Sequence, residues 1–209
     1  MVTISERALP MASADDGSPP PRIHALGGRQ RLMAELLSRP GDTGALADPA
    51  RPLLASLLAG RALGAGVLPQ SLGLTHDAFA AMWRSHFRGP HLALPEGCHE
   101  DIPELDDIEH LLLEFRAGRR ESEVWLARIV ACGCAGRDHL WQDIGLANRD
   151  ELSRLMNTAF PALAKMNSGD MKWKKFIYRT YCQRDGIYVC PAPSCGVCID
   201  YAKCFAPEL

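Results

Sequence analysis

The chain has 209 residues, 47% hydrophobic and 23% charged, with a formal net charge of −2; that is enough for one sizeable core and has the balance of a soluble globular protein. The charge excludes the strongly basic domain that bulk electrostatic binding to nucleic acid requires. It is unevenly placed, with eight acidic residues and no Lys or Arg from Glu96 to Glu114, and six basic residues against Asp170 alone from Lys165 to Arg184.

Residues 1–25 are rich in Ser, Pro, Asp and Ala without periodicity and read as a disordered N-terminal tail. They lack the apolar run of a signal peptide. The most apolar stretch, "PLLASLLAGRALGAGVL", is interrupted by Arg61 and several glycines and is too short to span a bilayer. No membrane partner is therefore expected, and the expected address is cytoplasmic. Thiols stay reduced there, so a disulfide framework for the eight cysteines is disfavoured.

Residues 26–184 read as one helical domain. "GGRQRLMAELLSR" sets Leu32, Met33, Leu36 and Leu37 on one face, and residues 50–64 repeat the pattern with leucines and alanines. "THDAFAAMWRSHF" begins with Thr75 as N-cap and carries Phe79, Met82, Trp83 and Phe87 as a stripe. "PELDDIEHLLLEFRAG" opens on Pro103 in a first turn, runs Leu105, Ile108, Leu112 and Phe115 inward, and closes at Gly118. Its acidic residues read as a solvated face. "ESEVWLARIVACGCAG" is helical until Gly133 and Gly136, and "NRDELSRLMNTAF" starts on an Asn148 cap. In "DMKWKKFIYRTYCQRD", Trp173, Phe176, Ile177, Thr180 and Tyr181 make the inner face, with Lys172, Lys174, Lys175 and Arg179 mainly on the others. No convincing strand and no internal repeat interrupt this series. The fold class is all-α, with a loop-rich cysteine segment at 185–209.

In that segment Cys190, Cys195, Cys198 and Cys204 fall within fifteen residues as C-x4-C-x2-C-x5-C. Pro191 and Pro193 prevent a helix between the first two, and Gly196 permits a tight turn before Cys198. Such a segment has little core of its own, and a metal binding several thiolates supplies the missing folding free energy. Structural zinc sites pair two short hairpins across an intervening stretch, whereas iron–sulfur clusters take consecutive cysteines from one loop. Spacing favours a metal–sulfur cluster over zinc without naming the cluster. Cys182 is a candidate fifth ligand, though a half-buried thiol acting as a small hydrophobe accounts for it more simply. His139 and Asp143 share a face if their stretch is helical and form a candidate metal or hydrogen-bonding pair, the commoner role of such a histidine being a cap. Asp107-x-x-His110 is half of a di-iron carboxylate pattern with no second matched set. No nucleotide loop and no nucleophile–base set suggest an enzyme.

The chain resembles the NifQ family of nitrogen fixation. The resemblance rests on "HLWQDIGL" (139–146), "ELSRLMNTAFPALAKMN" (151–167), "MKWKKFIYRTYC" (171–182) and "CPAPSCGVCIDYAKCFAPE" (190–208). It implies a carrier, not an enzyme, that binds a molybdenum–iron–sulfur cluster through Cys190, Cys195, Cys198 and Cys204. It would donate molybdenum for assembly of the nitrogenase iron–molybdenum cofactor. Implied partners are the cofactor-assembly proteins (scaffold complex and iron protein) and molybdate or another molybdenum source. In "ACGCAGRDH" the family is expected to carry one cysteine before the histidine, and Cys134 fits that place better than Cys132. The competing reading is a zinc-stabilised helical adaptor for a protein partner. The basic run at 172–184 would neutralise an anionic cluster or molybdate, dock an acidic partner, or be a solvated face.

Overall fold

The computed structural model describes residues 23–97 and 102–185. They form α1 (Ile23–Ser38), α2 (Thr43–Leu46), α3 (Arg51–Ala62), α4 (His76–His86), α5 (Leu105–Glu114), α6 (Ser122–Cys134), α7 (Leu140–Asp143), α8 (Arg149–Ala159), α9 (Pro161–Met166) and α10 (Trp173–Asp185). No strand occurs among the described residues, so the helical reading holds for them. α1 starts three residues inside the span read as tail. The rest of the tail and the cysteine segment lie outside the described residues.

α3 is apolar on most of its circumference, and a helix with that pattern belongs inside. Leu54, Ala55, Leu57, Leu58 and Ala59 are completely buried there, with α1 packed alongside. The caps expected from sequence form as expected. The Thr75 side chain accepts from the Ala78 amide at 3.2 Å, and Asn148 accepts from the Glu151 amide at 2.9 Å, each satisfying an orphan donor of a helix start.

A buried arginine of α3 closes the other ends. Arg51 donates to Leu37 O at 3.0 Å and Arg39 O at 2.7 Å behind α1, and to His86 O at 3.1 Å at the end of α4. One guanidinium thus serves the carbonyls of two helix C-termini, where cations are favoured.

Three expectations need correction. α5 begins at Leu105, with Pro103 ahead of the helix instead of in its first turn. Its acidic residues are not merely solvated. Asp106 and Glu109 receive Arg128 of α6 at 3.0 and 2.8 Å, Asp107 accepts from the Tyr181 hydroxyl at 3.0 Å, and Glu114 is paired with Arg184 in a fork. The acidic helix is fastened to α6 on one side and α10 on the other. Nor does Gly133 end α6. A Cβ there would lie 2.2 Å from Ile144 Cγ2, so the glycine lets the residue after α7 press against α6.

Candidate functional site

The four cysteines carrying the sequence argument, Cys190, Cys195, Cys198 and Cys204, lie outside the described residues. The structure does describe the helix from which their segment continues, and several contacts that anchor it. α10 buries Trp173, Phe176, Ile177 and Thr180, as the periodicity predicts. It also buries Lys174, at 5% exposure. Lys174, expected on an outer face, is interior, and the reason is positional. Lys174 sits three and four residues before Ile177 and Tyr178, both buried, so it continues a second inward row that widens the helix's buried arc.

The ammonium group is fully used. Lys174 Nζ donates to Gly136 O and Asp138 O at 2.9 Å each, and to the Asp143 carboxylate. Asp143 is 1% exposed and also accepts the Asp138 amide at 3.3 Å. Burial pushes the Asp143 carboxyl above its ordinary range, with Lys174 pulling the other way without cancelling it. The result is a buried, hydrogen-bonded ion pair that fixes the root of α10 to the α6–α7 turn. Lys172, Lys175 and Arg179 are half-buried and Arg184 is exposed, with Arg184 forked onto Glu114. The run from Lys172 to Arg184 is therefore no open basic face: one member is interior and another is paired across to α5.

The secondary candidates separate. His139 is exposed and N-caps α7, its amide donating to Gln142 Oε1 at 3.2 Å. Asp143 turns inward to Lys174, so the structure does not bring His139 and Asp143 together as a metal pair. Cys134 is fully buried beside Lys174 and Asp143, and burial pushes its thiol up to about 12. Cys132 faces elsewhere, its Sγ 3.8 Å from Gly73 O. Cys182 is buried at 7% exposure on α10. Among the described residues no three His, Cys, Asp or Glu side chains converge as a metal site, and none of the helices is long and apolar enough to cross a membrane.

Sequence reasoning missed the Lys174–Asp143 pair as a structural unit. The available signal was the inward row just described, together with a lone aspartate among the apolar residues of "HLWQDIGL".

These features define a class: an all-helical body, with its last helix pinned by a buried ion pair, from whose end a thiol-rich segment continues. The NifQ family profile matches residues 53–206, a span that takes in the body from α3 onward and all four clustered cysteines. The chain is 40% identical over 163 residues to protein NifQ of Azotobacter vinelandii, covering 70% of this chain and 83% of that one. It is 40% identical over 160 residues to protein NifQ of Rhodobacter capsulatus, covering 75% and 87% respectively. No solved structure matches. The chain belongs to the NifQ family, and so to the proteins of nitrogen fixation.

Proposed function

We propose that this protein carries a molybdenum–iron–sulfur cluster as cargo on Cys190, Cys195, Cys198 and Cys204, and donates its molybdenum to assembly of the nitrogenase iron–molybdenum cofactor. The observation that carries the reading is the family match extending through residue 206, over four thiols spaced for one loop. Thiolates are soft donors suited to iron–sulfur chemistry, while hard ions take carboxylate and water. α10, the helix from which the cysteine segment continues, is held at its start by Lys174–Asp143 and near its end by Arg184–Glu114. On the same reading the protein acts in the cytoplasm as a carrier and not a catalyst, receives molybdate or another molybdenum source, and delivers to the scaffold complex and iron protein of cofactor assembly.

The test is anaerobic purification of wild type and Cys198→Ser, with an absorption spectrum and analysis for iron, molybdenum and zinc. The expected wild type is brown and contains iron and molybdenum. The expected variant loses most of both at unchanged helix content, because serine replaces a soft thiolate with a poorly ionised hydroxyl. A colourless wild type with stoichiometric zinc would overturn the carrier in favour of the zinc-stabilised adaptor.

A further inference from the structure

With Lys174 interior and Arg184 paired to α5, a more open cluster of basic side chains among the described residues lies at the α5–α6 turn. The turn between α5 and α6 reads "RAGRR", residues 116–120. Its backbone is held from two sides. Buried Glu123 accepts the amides of Gly118 at 2.6 Å, Arg119 at 3.1 Å and Arg120 at 3.1 Å, and the Ala117 amide donates to Ala159 O at 2.9 Å. Gly118, at φ +71°, makes the reversal. The turn is thus fixed while its arginines stand exposed.

The Arg120 guanidinium reaches Gly44 O of α2 at 3.3 Å, joining this turn to α2. A surface depression beside it is lined by Arg84 and Arg88 from the end of α4, with Asp42 and Glu121. Leu46 of α2, two residues from Gly44, is 54% exposed. Among the described residues the guanidiniums of Arg84, Arg116 and Arg119 make no hydrogen bond or ion pair, while Arg88 is paired with Asp42. Five arginines against three carboxylates, Asp42, Glu121 and the buried Glu123, leave this face cationic on a chain whose total charge is −2.

We propose that this face, formed by α2, the end of α4 and the α5–α6 turn, is a docking surface for an acidic protein partner. A fixed backbone spares the loop-ordering part of the cost of binding, leaving only the arginine side chains to be ordered. Arginine is also the charged residue enriched at protein interfaces, and an exposed leucine among arginines has the make-up of an apolar centre with a charged rim. A nucleic acid fits less well. Trp83, which lines the depression, is 2% exposed and closed to base stacking. This surface goes beyond the cluster reading and does not depend on it, since a chain without cargo would still present it.

The test uses the full chain and three fluorescent probes: an all-glutamate peptide, the same peptide with one central leucine, and a DNA duplex of equal charge. The surface variant is Arg84→Glu/Arg116→Glu/Arg119→Glu. The control is Arg31→Glu/Arg154→Glu/Lys165→Glu, the same charge change at exposed positions outside this surface. At about 50 mM salt, where screening is weak, wild type is expected to bind both peptides more tightly than the duplex. The surface variant should lose about tenfold or more and the control less than about threefold. Leu46→Ser should weaken only the leucine-bearing peptide. Circular dichroism should show all three variants folded. Equal loss in surface variant and control would overturn the proposal, because the effect would then be net charge alone. So would duplex binding as tight as peptide binding, or no peptide binding by wild type.

Discussion

Two regions of this molecule handle positive charge in opposite ways. At the junction of α6, α7 and α10, Lys174 is interior and every proton of its ammonium has an acceptor. At the end of α4 and the α5–α6 turn, the arginines stand outside, while the buried acid–base pair beneath them is Asp48 with His86, 3.3 Å apart. In the first region the sequence's densest basic run helps to hold the fold. In the second, the charge available to a partner comes from residues scattered between 84 and 120. Local density of basic residues does not by itself locate a basic surface: the run at 172–175 has an interior lysine, while the arginines of the run at 116–120 stand exposed.

The strongest way to break this comparison is to remove Lys174. Truncating one partner of a buried pair leaves the other charge uncompensated, so Lys174→Met should cost about 3–5 kcal/mol in urea unfolding followed by circular dichroism. The double variant Lys174→Met/Asp143→Leu should lose less than Lys174→Met alone, because an apolar pair carries no stranded charge. If Lys174→Met unfolds at the wild-type midpoint, the pair is not what pins α10.

Next in size is the packing behind that junction. Gly133→Ala places a methyl 2.2 Å from Ile144 Cγ2 and 2.9 Å from Leu140 Cδ1. Overpacking of that kind costs about 1–3 kcal/mol, although alanine is the better helix former. A raised melting temperature in this variant would show that α7 yields freely, and with it the anchorage of Asp143.

Much of this fold was legible in the sequence. Apolar stripes at helical spacing marked α1, α3, α4, α5, α6, α8 and α10, and Thr75 and Asn148 marked two of their starts. The short helices α2, α7 and α9 were not marked, because four to six residues hold too few periods to register a stripe. At the site, the four clustered cysteines were legible from softness and spacing as a candidate donor set, which lies outside the described residues. The inward turn of Lys174 was not, because a lysine on a helix is ordinarily exposed and its partner lies 31 residues away in the chain. The fastening of the acidic helix was hidden for the same reason: Tyr181 and Arg184 are 74 and 70 residues from the carboxylates they meet.

Acid titration sharpens the comparison, since the two buried carboxylates are shifted in opposite directions. Burial works against ionisation of Asp48, but the hydrogen bonds from His86 and from the Ala50 amide at 2.8 Å outweigh it and hold the carboxyl below its ordinary range. A depressed folded pKa contributes stability that is present above the unfolded value and lost as pH falls through the folded one, below about pH 4. Asp143 is raised, so its contribution has the opposite slope, with stability falling as pH rises above about 4. Asp48→Asn should cost about 1–2 kcal/mol at neutral pH, and that difference should shrink at the acid end. Asp143→Asn should remove a slope of the other sign. Parallel stability–pH curves for Asp48→Asn and wild type would refute the assignment to Asp48.

The smallest expected effect is the one that separates a surface built for contact from one built for support. Arg116 and Arg119 touch no acceptor among the described residues, and what fixes their turn is the Glu123 carboxylate acting on backbone amides. Replacing both arginines with alanine leaves those amides in place, so stability should stay within about 0.5 kcal/mol of wild type. Removing the carboxylate is different. Glu123→Gln weakens charge-assisted bonds to three amides and should cost about 1–2 kcal/mol while leaving every arginine present. If the arginines serve a partner, the double alanine variant loses acidic-peptide binding at wild-type stability. Glu123→Gln, measured at a temperature where it is still folded, should retain the charge attraction but lose part of the affinity, since a looser turn must be ordered on binding. Equal affinity for Glu123→Gln and wild type would mean that the fixed backbone contributes nothing to docking, and that charge alone carries it.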